Sequence, residues 1–255
     1  MKLAPKFENP KFANPKFERP ALQAWTIILL ALVSLCFTAP RGRSQGLQRG
    51  ISVELAPTSN AQPMPDADSE RALIVSITDN GATYLGIDPV TPSALADQLK
   101  ASLANRQRKF YLKADARVPY SGVMKALEAA LSAGIGVPML LTAQPESPQP
   151  GNVVPPKGLS VFVAAPDGVE KIGAEKSKIV VWVLASPQHG TVLTLNGQTL
   201  PWTELQGALN QLLLNRSEKI VVVKADGSIP YAQVVHAIDL CQAVSAKVIL
   251  VTPDV

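Results

Sequence analysis

The sequence contains one eight-residue phrase twice, as "KADARVPY" at residues 113–120 and as "KADGSIPY" at residues 224–231. The copies agree at Lys, Ala, Asp, Pro and Tyr and lie 111 residues apart. An apolar run precedes each phrase, and apolar residues at helical spacing follow it. A chain of 255 residues can hold two small domains. We therefore predict a duplicated α/β unit in which each phrase joins a central strand to the next helix.

The elements around the two phrases follow one order. In residues 71–143, the run "ALIVSI" and the turn "DNG" predict a strand and a hairpin, and a helix follows with Pro92 at its first position. Residues 177–255 repeat the pattern from "KIVVWVL" to "KVILVT". The predicted fold class is α/β (α+β), with two tandem β-β-α-β-α-β domains after a single N-terminal transmembrane helix.

The N-terminal region predicts that membrane helix. Residues 21–40, "ALQAWTIILLALVSLCFTAP", carry no charged side chain, and about 20 apolar residues in a helix span a bilayer. A cleaved export signal is one alternative, although Phe37 interrupts the small-residue frame before the best cleavage site. A buried soluble helix is the other. Five basic residues precede the segment and three follow it, which favours a cytoplasmic N-terminus.

Three further segments complete the predicted organisation. Residues 1–20 form a basic cytoplasmic tail whose repeats "KFENP KFANP KFERP" carry prolines that disfavour a helix. Residues 41–70 are a polar linker and residues 144–176 a proline-rich linker. Within the second linker the stretch "LSVFVAAP" predicts one extra strand.

Charge and cysteine content exclude several function classes. Residues 1–50 hold eight of the 24 lysines and arginines and two of the 20 acids, so the remainder has 16 basic and 18 acidic residues. The globular part therefore lacks the basic surface that nucleic acid requires. Two cysteines allow neither a disulfide framework nor a cysteine zinc site. Because no nucleophile elbow, P-loop or dinucleotide fingerprint occurs, we expect no enzyme, cofactor or metal site.

The phrases supply the candidate binding or turn-forming residues. Asp115 and Asp226 end a strand, where a carboxylate can accept backbone N–H groups, cap the helix or contact a ligand such as a cell-wall or partner peptide. Tyr120 and Tyr231 begin the following helix, where a ring packs into the core or binds a partner. In the predicted anchor, the hydroxyls of Thr26 and Ser34 can hydrogen-bond a partner helix.

The order of elements, the strand ending in Lys-Ala-Asp, the turn into Pro-Tyr and the final strand ending in Thr together resemble the exported domain of the ExbD/TolR biopolymer-transport family. The basic tail and the single anchor are similar too. The resemblance implies a single-pass protein of the inner (plasma) membrane with periplasmic C-terminal domains. It also implies a multi-helix channel partner of ExbB/TolQ type, with peptidoglycan or a TonB/TolA-like protein as further partners.

Two features depart from that family. Its membrane helix typically carries an Asp that takes part in proton movement, but residues 21–40 contain no Asp, Glu, His, Lys or Arg. We therefore expect a component of a proton-coupled transport or envelope-maintenance complex that does not carry the proton itself. The alternative is a non-motor periplasmic adaptor for peptidoglycan or protein. The second departure is the tandem, which could pair within one chain as a pseudo-dimer or between chains as a homodimer.

Overall fold

The computed structural model describes residues 50–70, 72–103, 109–143, 155–165, 179–188 and 190–252, all within one unit, Gln45–Val255. The predicted tail 1–20 and anchor 21–40, with Thr26 and Ser34, lie outside the described residues. No helix within the described ranges has both the length and the apolar composition needed to cross a bilayer. Below, "first half" means residues 61–143, "second half" residues 179–252 and "crossing segment" residues 155–165.

The first half forms the predicted order of elements around its phrase. The strand before the phrase is buried at every position, as expected inside a parallel sheet. The next helix begins directly after Pro119, whose fixed φ suits the turn. The elements are β1 (Gln62–Pro63), a 3-10 helix (Pro65–Asp68), β2 (Leu73–Ile77), β3 (Thr83–Leu85), β4 (Asp88–Pro89), α1 (Pro92–Leu103), β5 (Phe110–Ala114), α2 (Tyr120–Ser132) and β6 (Met139–Thr142).

The crossing segment and the second half continue the chain. The hairpin of the second half is longer than that of the first, and Pro230 precedes its second helix as Pro119 does in the first half. The elements are β7 (Lys157–Ser160), β8 (Phe162–Ala164), β9 (Ile179–Ser186), β10 (Gly190–Leu195), β11 (Gln198–Thr199), α3 (Trp202–Leu213), β12 (Ile220–Ala225), α4 (Tyr231–Ala243) and β13 (Lys247–Val251).

Five strands of each sheet share one topology, β6-β5-β2-β3-β4 in the first and β13-β12-β9-β10-β11 in the second. The strand order is β1-β7-β6-β5-β2-β3-β4 in the first sheet and β11-β10-β9-β12-β13-β8 in the second. The central strands are parallel, with Ile77 opposite Ala114 in one sheet and Val183 opposite Ala225 in the other. The mixed α/β fold predicted from the sequence is confirmed, with two sheets and four α-helices in the described part of the chain.

One apolar core extends through both halves. Successive residues of a strand point to opposite faces of the sheet. Val75 of β2 and Val223 of β12 lie on the inner faces and belong to the same buried cluster, which also contains residues of all four helices. Ile74 and Tyr111 lie on the outer face of the first sheet and pack against Ala67 of the 3-10 helix. The halves are therefore packed together as one body.

The predicted linkers contribute to both sheets. The stretch "LSVFVAAP" contains parts of two strands, where one was predicted, because the chain changes sheet at Val161. Strand β7 is antiparallel to β6 in the first sheet, whereas β8 is parallel to β13 in the second. Strand β1, within the predicted linker 41–70, pairs with β7. The described parts of both linkers are thus structural elements.

Candidate functional site

The two copies of the phrase contact each other where the halves meet. Residues 116–121 run antiparallel to residues 227–232, with Pro119 opposite Pro230. Four backbone hydrogen bonds close this contact, which we call the joint. They run from Tyr120 N–H to Ile229 C=O (2.8 Å), from Tyr231 N–H to Val118 C=O (2.9 Å), from Ser121 N–H to Gly227 C=O (2.9 Å) and from Ala232 N–H to Ala116 C=O (2.9 Å).

The joint has local two-fold symmetry. Each donor and each acceptor has its counterpart 111 residues away, so every bond has a reciprocal bond. The same surface is therefore used twice, as in an isologous dimer interface. The first N–H groups of a helix have no partner within that helix. Because α2 and α4 begin at the joint, each half satisfies the free N–H groups of the other, and the chain forms a pseudo-dimer.

Tyr120 and Tyr231 come together at the joint and belong to the shared core. Their side chains are buried, at 2% and 1% exposure. Among the described residues neither hydroxyl has a hydrogen-bond partner. Burial raises the pKa of both hydroxyls, and the neighbouring Tyr120 raises the pKa of Tyr231 further. This environment favours core packing over direct contact with a ligand.

Asp115 organises the turn of the first phrase. Its buried carboxylate accepts backbone N–H groups of Arg117 and Glu54, both at 3.1 Å, and the Arg117 guanidinium at 2.9 and 3.0 Å. The N-cap of α2 is Pro119, so Asp115 does not cap that helix. Arg117 also approaches Glu54 (3.8 Å) and Asp79 (3.6 Å) in exposed ion pairs, which add little stability. Asp115 therefore joins the turn after β5 to Glu54.

Asp226 occupies the equivalent place but has different partners. Its Oδ2 accepts the backbone N–H of Ala185 at 2.8 Å. The position equivalent to Arg117 is Ser228, so no arginine is available within the turn. Asp226 is half-buried, and among the described residues its side-chain hydrogen bond goes to Ala185 and not to the turn of Asp115. The two aspartates therefore stabilise separate turns and do not form a carboxylate pair.

The ion pair at Asp115 predicts a specific loss of stability in acid. Hydrogen bonds from the Arg117 side chain lower the pKa of Asp115 to about 2; burial opposes this shift, and backbone N–H donors support it. Since the folded pKa lies below the unfolded value, the contribution is present above pH 4 and is lost as the pH falls towards 2. It amounts to about 2 kcal/mol. Urea unfolding of the fragment Gln45–Val255 at pH 2 to 5 measures it.

Two variants isolate this contribution. Asp115→Asn should remove about 2 kcal/mol of the stability difference between pH 5 and pH 2, because its amide does not titrate. Asp226→Asn, which leaves the Arg117 pair intact, should retain that part of the acid dependence. If the stability of Asp115→Asn depended on pH as strongly as that of the unchanged chain, the loss in acid would not come from the Asp115–Arg117 pair.

A segment before the first sheet is a second feature of this region. Residues 50–60, which we call the strap, lie within the predicted linker 41–70 and bind both halves. Ile51, Val53 and Leu55 alternate with polar residues, as in a strand, but the sequence analysis assigned the whole segment to a polar linker. Its hydrogen bonds to the first half run from Ala116 N–H to Glu54 C=O (2.7 Å), from Ala143 N–H to Ala56 C=O (2.9 Å) and from Thr58 Oγ1 to Thr142 Oγ1 (2.8 Å). Its hydrogen bonds to the second half run from Ser59 and Asn60 N–H to the Asp239 carboxylate (3.1 and 2.8 Å).

Asp239 is a functional candidate that the sequence analysis missed. It lies on α4, four residues after the buried Val235, and is 4% exposed. A buried carboxylate requires hydrogen-bond donors, and here the strap supplies them. One signal was available, since an acid at i+4 from an apolar residue falls on the inner stripe of an amphipathic helix.

Histidine, cysteine and acidic side chains are the groups that most often bind metals or act in catalysis. No group of three or more His, Cys, Asp or Glu side chains in the described ranges could hold a metal ion. Cys241 is buried, and burial raises its pKa to about 12, which suppresses the reactive thiolate. His236 is exposed with its ring 5.0 Å from that of Trp202.

Comparison with known families gives one match that occurs twice. The family model described as "Biopolymer transport protein ExbD/TolR" matches residues 26–145 and again residues 139–254. The two matches contain the first and the second half, respectively. No curated protein sequence matches the chain significantly.

Proposed function

The chain belongs to the biopolymer transport protein ExbD/TolR family, and from this premise we propose that it is a membrane-anchored component of a proton-gradient-coupled transport or envelope-maintenance complex. It is a single-pass protein of the inner membrane, with a cytoplasmic N-terminus and both halves in the periplasm. It acts through protein contacts and not as an enzyme. The observation that supports this most is the double family match, which extends into the predicted anchor.

The proton path lies outside this chain in our proposal. Residues 21–40 contain no side chain that binds and releases a proton near neutral pH. Thr26 and Ser34 instead offer hydroxyls for contacts with the helices of a channel subunit of ExbB/TolQ type. An ionisable group in that partner, or in a related chain, then carries the proton.

The periplasmic pair is supplied by one chain. The reciprocal bonds of the joint already occupy the surface through which the two units associate. One anchor therefore serves two units. Peptidoglycan or a TonB/TolA-like protein is the expected partner of this pair on the periplasmic side.

Co-purification tests the proposal. The full chain, extracted in several mild detergents, should bring down a multi-helix channel subunit. A comparison variant replaces residues 21–40 with leucines. This segment still holds the chain in the membrane but lacks the hydroxyls of Thr26 and Ser34. We expect this control to lose the partner. Recovery of the unchanged chain alone in every detergent, or equal recovery of the partner with the polyleucine control, would oppose the proposal.

A non-motor adaptor is the second candidate function, and the absence of an ionisable residue in the anchor favours it. In that case the pair binds peptidoglycan or an exported protein without any channel subunit. The fragment Gln45–Val255 should then sediment with purified cell-wall sacculi, whereas a fragment that stays in the supernatant opposes wall binding.

A further inference from the structure

The strap is attached to the first half along its length. Glu54 exchanges hydrogen bonds with Asp115 and Ala116 at the end of β5. Further on, Thr58 bonds to Thr142 at the end of β6, and both side chains are buried. Gly50 has φ +91°, and a Cβ there would lie 2.7 Å from Ser76 Oγ, so the strap approaches the sheet closely from its first described residue.

The end of the strap is attached to the other half. Both carboxylate oxygens of Asp239 accept consecutive backbone N–H groups, from Ser59 at 3.1 Å and from Asn60 at 2.8 Å. The Asn60 side-chain amide also donates to the Asp239 carbonyl at 3.3 Å. Hydrogen bonds to a charged acceptor are stronger than neutral ones, and this acceptor is shielded from water. A segment that precedes the first half is thus held by the last helix of the second.

This attachment breaks the two-fold symmetry of the pair. The residue equivalent to Asp239 is Glu128 on α2, 111 positions earlier. Glu128 is half-buried, and among the described residues no strap atom hydrogen-bonds to it. The same helix position therefore carries a carboxylate in both halves, and the strap uses only one of them.

We propose that the strap is a latch that fastens the N-terminal side of the chain to the second half, with Asp239 as its positioning residue. Nine residues separate Pro40, the end of the predicted anchor, from Gly50. Because a connection of this length spans at most about 35 Å, a displacement of the anchor beyond that distance acts on both halves through the strap. The transmission of movement from the anchor rests on the proposed membrane anchoring. The attachment of the strap to Asp239 does not.

Hydrogen exchange of the full chain in detergent micelles tests the latch. In Asp239→Ala the amides of Ser59 and Asn60 should exchange about tenfold faster or more, because both lose their acceptor. The core strands β5 and β12 should keep their protection. Glu128→Ala is the matched control, since it removes a carboxylate from the equivalent helix position, and it should leave exchange in the strap unchanged.

A second variant keeps the carboxylate intact. Asn60→Pro removes both donors of residue 60, the backbone N–H and the side-chain amide, and it should accelerate exchange at Ser59 even if Asp239→Ala fails to fold. Unchanged exchange at Ser59 in Asn60→Pro, or equal acceleration in Glu128→Ala, would overturn the latch. The proposed function can fail separately, because exchange at these amides does not depend on finding a channel subunit.

Discussion

Replacing Tyr231 with alanine is expected to lower the free energy of unfolding by about 3–5 kcal/mol, whereas Tyr231→Phe should leave it unchanged or raise it. Alanine removes a fully buried ring from the core that both halves share, and leaves a cavity beside Tyr120. Phenylalanine keeps the ring and removes only a hydroxyl. Since that hydroxyl has no hydrogen-bond partner among the described residues, its removal relieves a desolvation cost.

The same contrast should hold at Tyr120. Urea unfolding of the fragment Gln45–Val255 measures both positions, and the double variant Tyr120→Phe, Tyr231→Phe tests whether the hydroxyls interact. The prediction is contradicted if either single Phe variant loses more than about 1 kcal/mol, because that loss would reveal a bonded hydroxyl, for example one held by a buried water.

The tyrosines also account for the repetition of the phrase. Each phrase ends a strand, turns, and starts a helix with an aromatic ring on its first buried position. In an isolated unit the helix N–H groups and this ring would face water. Pairing two copies buries both rings and satisfies donors on both sides through the four bonds of the joint. The repeated prolines and tyrosines thus lie at the interface between the units, whereas the repeated aspartates stabilise the turns.

Sequence patterns predicted the elements of each half well. Apolar runs such as "ALIVSI" and "KIVVWVL" led to β2 and β9, and helix starts were correct at Pro92 and Tyr120. These predictions rest on short-range rules for strands, turns and helix ends, which act within a few residues. The sequence could also indicate that two phrases mark two equivalent places in the fold.

The contacts between distant segments could not be predicted in this way. The strap reaches Asp239 across 180 positions in sequence, and its bonds use backbone N–H groups that every residue except proline carries. No residue type identifies such a donor in advance. Similarly, the two repeated units suggested a pair within one chain. Only the structure, with Pro119 opposite Pro230, shows that the repeated phrases themselves form the contact between the halves.

The crossing segment provides the second large prediction, at Gly158. This residue lies in β7, which is paired on one side with β1 and on the other with β6, and it is opposite Gln62 of β1 and Leu141 of β6. A Cβ at this position would lie 2.5 Å from the carbonyl oxygen of Leu140 and 2.9 Å from Met64 Sδ. The methionine side chain can move aside, but the carbonyl belongs to the backbone of β6. An added methyl group must therefore separate the strands or displace β7.

Gly158→Ala should consequently lower the free energy of unfolding by about 3 kcal/mol, at the upper end of the usual cost of overpacking. Gly136→Ala is the matched control, because a Cβ there meets nothing within 4 Å, and it should change stability by less than about 1 kcal/mol. Urea unfolding of the fragment Gln45–Val255 compares the two variants.

Gly158 falls in the proline-rich stretch that composition alone marks as a linker, where a glycine is normally replaceable. If Gly158→Ala proved as mild as Gly136→Ala, β7 would be a loosely attached edge; a large loss would mean that the segment between the halves is part of the sheet that the first half needs to fold.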